Sequence, residues 1–160
     1  MGAQRLLVVG DGPVAEALVP MAQLLGWGAS TAVTMPEVEA ALPGSTAVVV
    51  TSHDEDVDAA AIAKALESEP VYLGGMGSRR TQARRREWLL AHGVAEAQLD
   101  RIHGPAGLDI GADSPAEIAL SILAELVATV RGAATVGSIS DREGPIHPDL
   151  PPGTAFCPTG

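Results

Sequence analysis

The stretch GGMGSRRTQARRRE, residues 74–87, concentrates the residue types that could hold a small anion. The chain carries a formal net charge of -10 with ten Lys plus Arg, and five of those ten are Arg79, Arg80, Arg84, Arg85 and Arg86. Gly74, Gly75 and Gly77 free the backbone after an apolar run, and Ser78 is placed to cap a helix that starts at Arg79. Arginines in a first helical turn face the positive end of the helix dipole, at a cost of about 0.3–1 kcal/mol per charge. A bound anion reverses that sign, because two guanidinium forks beside free backbone N–H groups form a cradle for phosphate or carboxylate. Arg84, Arg85 and Arg86 fall mid-helix and read as a solvated face, paired with Glu87 or an acidic neighbour.

A second glycine turn lies in VVGDGPVA, where Gly10, Gly12 and Ala15 fit G-x-G-x-x-G/A directly after a strand and at a helix start. In that context the glycines admit a phosphate to the helix N-terminus, the alternative being a tight turn with no ligand. The end of the second strand reads AVTMPE. Val33, Thr34 and Met35 supply no carboxylate for a ribose, Glu37 comes late, and no arginine stands ready for a 2'-phosphate, so NAD and NADP both lose support. In TSHDEDVD, Thr51 and His53 are rim candidates at a strand end, while the adjacent carboxylates suit a helix N-terminus better than one metal ion, and no metal site is expected. The loop IHGPAGLDIG places His103, Pro105 and Gly107 before the last helix, with His103 open to acid–base work, to hydrogen-bond donation to a ligand or to a merely structural hydrogen bond.

These residues need a scaffold. Strand-length apolar runs at 5–10, 29–33, 46–51 and 70–74 alternate with helical patterns near 13–26, 56–67 and 79–92. The segment 34–45 leaves room for an abbreviated helix at most. Near-continuous apolar strands imply burial on both faces, hence a Rossmann-like α/β fold: a doubly wound parallel sheet with helices on both faces. SPAE marks the start of a final helix over about 115–131, with Ser114 as N-cap and Glu117 closing a capping box. Glu117, Ser121 and Glu125 form a polar stripe along it. Two parts are expected: residues 1–131 as the Rossmann-like domain, and 132–160, with five of the twelve prolines, as a Pro/Gly-rich tail. Ligands of such sheets bind at the strand C-termini where the winding reverses. Taking that point to lie between the first and fourth strands, the two glycine loops would share one crevice and form a double anion cradle.

The acidic balance argues against nucleic acid. The lone Cys157 gives neither an internal disulfide nor a multi-cysteine zinc site. No early apolar run is long enough for a membrane span, and MGAQRL lacks the hydroxyl residue that myristoylation requires. A cytoplasmic location follows as the default.

VYLGGMGSRRTQARRREWLLAHGV followed by LDRIHGPAGLDIGADSPAEIALSILAELVA resembles the C-terminal Rossmann domain of the XdhC/CoxI family, accessory proteins of xanthine dehydrogenase and carbon monoxide dehydrogenase. The matching positions are Tyr72, Gly74, Gly77, Ser78, Arg79 and Arg80; His103, Pro105, Gly107, Leu108, Ile110 and Gly111; and Glu117, Ile118, Ala119, Ser121, Ile122, Ala124 and Glu125. The resemblance implies an accessory protein, not a catalyst, that binds the molybdopterin form of the molybdenum cofactor, protects it during sulfuration and delivers it to a molybdenum hydroxylase apoenzyme. Longer members have an N-terminal domain with a cysteine motif. Here that part would come from a separate N-terminal-type XdhC chain, or the job would be narrower, with a sulfurtransferase as an alternative partner and a homo-oligomer open. An NAD(P)-dependent oxidoreductase and a nucleotide-sensing regulatory domain stand as alternatives, the former without a catalytic constellation beyond His53 and His103.

Overall fold

The computed structural model describes residues 4–133, 135–144 and 146. The chain alternates β1 (Arg5–Val9), α1 (Pro13–Leu24), β2 (Gly28–Ala32), α2 (Met35–Ala41), β3 (Ala47–Val50), α3 (Glu55–Ser68), β4 (Tyr72–Gly75), α4 (Arg79–Ala91), α5 (Glu96–Leu99), β5 (Ile102–His103) and α6 (Pro115–Val130). Every strand pair is parallel and the order across the sheet is β2-β1-β3-β4-β5.

Burial on both faces explains the run Leu6-Leu7-Val8-Val9, because successive side chains point to opposite sides of a sheet. Leu7 and Val9, with Val48 and Val50, pack toward Val38 of α2, Ile62 and Ala65 of α3, Leu89 of α4 and Leu99 of α5. Leu6 and Val8, with Val49 and Tyr72, pack toward Val14 and Leu18 of α1 and toward Ile122 and Leu126 of α6.

The abbreviated crossover at 34–45 is the seven-residue α2, which owes its start to a capping box between Thr34 and Glu37. α5 and β5 are too short to show a period, and sequence reading passed over both. Beyond α6, the described tail residues contain one 3-10 turn, Ile139–Asp141, and the rest of the tail, Cys157 included, lies outside the described residues.

One expectation is overturned. β1 has β2 on one side and β3 on the other, so the winding reverses between β1 and β3, and β3 separates β1 from β4. The two glycine loops therefore do not face each other across a shared crevice. The reason is that α2 carries the chain back past β1, so β3 takes the place beside it that the sequence reading assigned to β4.

Candidate functional site

At the reversal point the C-terminal edge opens into a cleft of about 340 Å³ lined by Gly10, Asp11, Gly12, Val33, Thr51, Ser52, His53 and Asp54. Gly10 has φ +131°, and a Cβ there would meet Thr51 Oγ1 at 2.5 Å, so this glycine serves the close approach of the β1 and β3 ends. Gly12 is different. It keeps an ordinary φ of -76°, and a Cβ added to it would meet nothing within 4 Å, so the space it leaves is open to the cleft. Ala15 is buried beneath α1 against the sheet, a packing position rather than a contact surface.

Gly12 is also the N-cap of α1, and no side chain caps that helix. Asp54, Ser78 and Ser114 cap α3, α4 and α6 through their side chains. The N-terminus at the reversal point is thus left with unspent N–H groups. Asp11 and Asp54 on the same cleft oppose a second negative charge, although Asp54 already accepts from Asp56 N–H at 2.9 Å. Thr51 is buried and its hydroxyl donates to Val9 O at 3.3 Å, which leaves His53 as the exposed side chain of the expected rim pair. Glu37 Oε2 accepts from Val33 N–H at 2.7 Å and Thr34 N–H at 3.1 Å, and these bonds lower its pKa. The carboxylate that comes late after β2 is therefore committed to capping α2.

One strand further along, the turn after β4 leads into α4. Arg79 and Arg80 are exposed and have no hydrogen-bond or ion-pair partner among the described residues. The arginines behind them are all paired: Arg84 with Glu55 at 2.6 Å, Arg86 with Glu96, and Arg85 with Asp58. Arg85 departs from the solvated face expected of it. It is 4 % exposed, and its fork donates to both Asp58 oxygens at 2.8 and 3.0 Å, to Gln82 Oε1 at 2.5 Å and to Met76 O at 2.9 Å. Burial raises the pKa of the Asp58 carboxyl, and the Arg85 charge pulls it back down. Gln82 in turn donates to Gly75 O at 3.0 Å and Gly77 O at 3.2 Å. Three successive carbonyls of the turn are held by two side chains of α4, and Gly75 leaves the room that the guanidinium fills. Gly74 likewise leaves room for the Tyr72 ring.

The loop after β5 is fixed from α6. Glu125 accepts from Tyr72 Oη–H at 2.6 Å and Gly107 N–H at 2.8 Å, and its other oxygen lies 3.3 Å from His103 Nδ1. Burial by itself raises this carboxyl, but the bonds from His103, Tyr72 and Gly107 outweigh it and hold the pKa at about 2. Gly107 has φ +114° and packs on Ser121, whose hydroxyl donates to Ile118 O at 2.8 Å. Pro105, exposed, follows Gly104 through a cis peptide bond. The polar stripe of the last helix thus divides: Glu117 caps, Ser121 packs and Glu125 ties the loop. The roles of Glu125, Gln82 and Arg85 were not separable in the sequence, since their partners are up to 53 residues away.

The structure therefore brings Gly10, Gly12, Thr51 and His53 together at the cleft. Gly77, Ser78, Arg79 and Arg80 stand on the next turn of the same edge, and His103, Pro105 and Gly107 on the turn beyond. Among the described residues no group of three His, Cys, Asp or Glu side chains is placed to hold a metal, and no helix is long and apolar enough to cross a membrane.

Comparison with known proteins gives this arrangement a family. The model of the XdhC Rossmann domain matches residues 6–126. The molybdenum cofactor insertion chaperone PaoD of Escherichia coli is 32% identical over 128 residues, covering 79% of this chain and 40% of PaoD. The uncharacterized protein YqeB of Escherichia coli is 31% identical over 146 residues, covering 77% of this chain and 27% of YqeB. Among solved structures, one named as a xanthine dehydrogenase from Bacillus halodurans superposes with a TM-score of 0.64 at 25% identity, over 86% of this chain and 45% of that one. The chain spans less than half the length of each of these proteins.

Proposed function

Because this chain belongs to the XdhC Rossmann-domain family, we propose that it binds a molybdopterin-type molybdenum cofactor as cargo and helps to mature it or insert it into a molybdenum hydroxylase of the xanthine dehydrogenase type. The observation that carries the reading is Arg79 and Arg80: on an acidic chain whose other α4 arginines are all paired, these two are exposed and without a partner among the described residues. Molybdopterin ends in a phosphate, or a pyrophosphate in its dinucleotide form, and guanidinium forks match that end.

The site fits such cargo in two parts. The turn of Gly77, Ser78, Arg79 and Arg80 takes the anionic end. The cleft of Gly10, Gly12, Thr51 and His53 offers N–H donors from α1 alongside the Asp11 carboxylate, a mixed lining that suits a neutral polar group better than a second phosphate. Its client is the molybdenum hydroxylase apoenzyme, and a sulfurtransferase is the partner that would complete maturation. A nicotinamide reading draws no help from the site, since Glu37, the carboxylate nearest the end of β2, is bound to backbone.

The test is equilibrium binding of freshly released molybdopterin, with NAD(H) and NADP(H) alongside. The double substitution Arg79→Ala, Arg80→Ala is expected to weaken pterin binding about a hundredfold or more with the fold intact by circular dichroism. Unchanged affinity, or selective binding of a nicotinamide, would remove the proposal.

A further inference from the structure

His103 ends β5, in register with Gly74 of β4. Its ring centre lies 4.6 Å from that of Tyr72, tilted by 30°, and its Nδ1 lies 3.3 Å from Glu125 Oε1. The second Glu125 oxygen already accepts from the Tyr72 hydroxyl and from Gly107 N–H. An ionised carboxylate only accepts, so the proton shared with His103 belongs to Nδ1, and the lone pair of the neutral ring is then at Nε2. Nε2 has no hydrogen-bond partner among the described residues, and the side chain is 33% exposed. A histidine kept only to satisfy the loop needs no open nitrogen. Here the inward nitrogen is fixed by a carboxylate and the other is left available, the arrangement by which a second group sets which imidazole nitrogen is presented to a ligand.

The placement adds a direction. Ala106 N–H donates to Gly75 O at 3.1 Å, and Gln82 Oε1 would lie 2.5 Å from a Cβ on Gly104, so the His103 loop is stitched to the turn that carries Arg79 and Arg80. One acceptor and two cationic donors therefore lie on adjacent turns of one sheet edge, the His103 ring on the face of Tyr72 and α6 and the arginines at the start of α4 on the other. We infer that His103 Nε2 accepts a hydrogen bond from the ligand of this edge, a heterocycle that presents ring N–H or amino donors, and that Glu125 and Tyr72 are positioning residues that keep the ring in that form. The ligand class rests on the cofactor-carrier reading, whereas the state of the imidazole does not.

The state is read first, by nitrogen-15 NMR of the His103 ring in the ligand-free protein. Protonated Nδ1 with unprotonated Nε2 is expected, and the opposite tautomer, or a ring protonated at both nitrogens, overturns the inference. His103→Asn then separates the two nitrogens, since the Asn amide N–H takes the place of Nδ1–H toward Glu125 and nothing replaces Nε2. This variant is expected to keep the thermal midpoint, to bind inorganic pyrophosphate as the wild type does, and to bind the phosphate-free probe 6-hydroxymethylpterin about tenfold more weakly. Equal pterin affinity in the two proteins overturns the role of Nε2 and leaves the carrier reading standing. A wild type that binds pyrophosphate but no pterin overturns the ligand class, and one that binds neither overturns the carrier reading itself. Should His103→Asn fail to fold, the Nε2 resonance of the wild type on pterin addition decides: a shift supports the contact, and no shift at saturation refutes it.

Discussion

Arg85 and the pair Arg79–Arg80 lie within two turns of one helix and do opposite work. Arg85 faces the sheet, where its fork joins α3 through Asp58 to the turn after β4 through Met76 O. Arg79 and Arg80 face outward, with no partner among the described residues. The difference teaches that the charge of a basic cluster says little about its use until burial is known. A buried guanidinium is bound into the fold because an unpaired one would be prohibitive, whereas an exposed one at a helix start is held at a small cost and is free for a ligand.

The sharpest way to break this contrast is Arg85→Ala. It strands the Asp58 carboxyl, itself only 13% exposed, and should cost about 3–5 kcal/mol in urea denaturation. A loss below 1 kcal/mol would mean that the pair does not lock α3 to α4. Next in size is the Glu125 tie. Its pKa falls from 4.5 to about 2 on folding, so its contribution is complete above pH 4.5 and is lost as the pH falls through 2. That corresponds to about 3 kcal/mol, read as the difference in the pH dependence of stability between wild type and Glu125→Gln. A difference that stays flat from pH 5 to pH 2 would contradict the three bonds to this carboxylate.

The two glycines of the first turn extend the comparison to the cleft. Gly10→Ala forces a Cβ against Thr51 at a left-handed φ and should destabilise the protein by about 1–3 kcal/mol. Gly12→Ala should cost less, about 0.5 kcal/mol for a poorer N-cap, and weaken binding of the proposed cofactor, because its Cβ meets no packed atom and enters the cleft. Equal melting temperatures for the two variants would show that the β1 and β3 ends do not pack as described. Arg79→Ala with Arg80→Ala has the opposite sign: it should stabilise the protein by roughly 0.6 kcal/mol in urea denaturation, since two positive charges, each costing about 0.3 kcal/mol at the least, leave the positive end of a helix dipole.

Much of the scaffold was legible because it is local. Three of the four strands read from the sequence, β1, β3 and β4, carry their own burial pattern, whereas β2 lies at the sheet edge with only Ala32 buried, and Ser114-Pro115-Ala116-Glu117 announces α6 through a capping box that the structure shows bond for bond. The glycine turns and the helix starts after them were equally plain. α5 and β5, four and two residues long, were not, since neither is long enough to repeat its period. Arg85 shares its sequence environment with Arg84 and Arg86, and only the rotation of α4 against α3 turns it inward. The double cradle failed for a similar reason, because strand order is a property of the crossovers and not of the strands.

The sequence by itself determined the α/β class, the places where chain ends expose N–H groups, and the family, since these rest on short-range pattern and on the matching blocks around Gly74, His103 and Glu117. Only the tertiary structure decided which strand lies beside β1, which arginine is buried, and that Glu125 holds both Tyr72 and the His103 loop. Those outcomes join residues 18 to 53 positions apart through contacts of about 3 Å, and such contacts exist only once packing has fixed where each helix lies on the sheet.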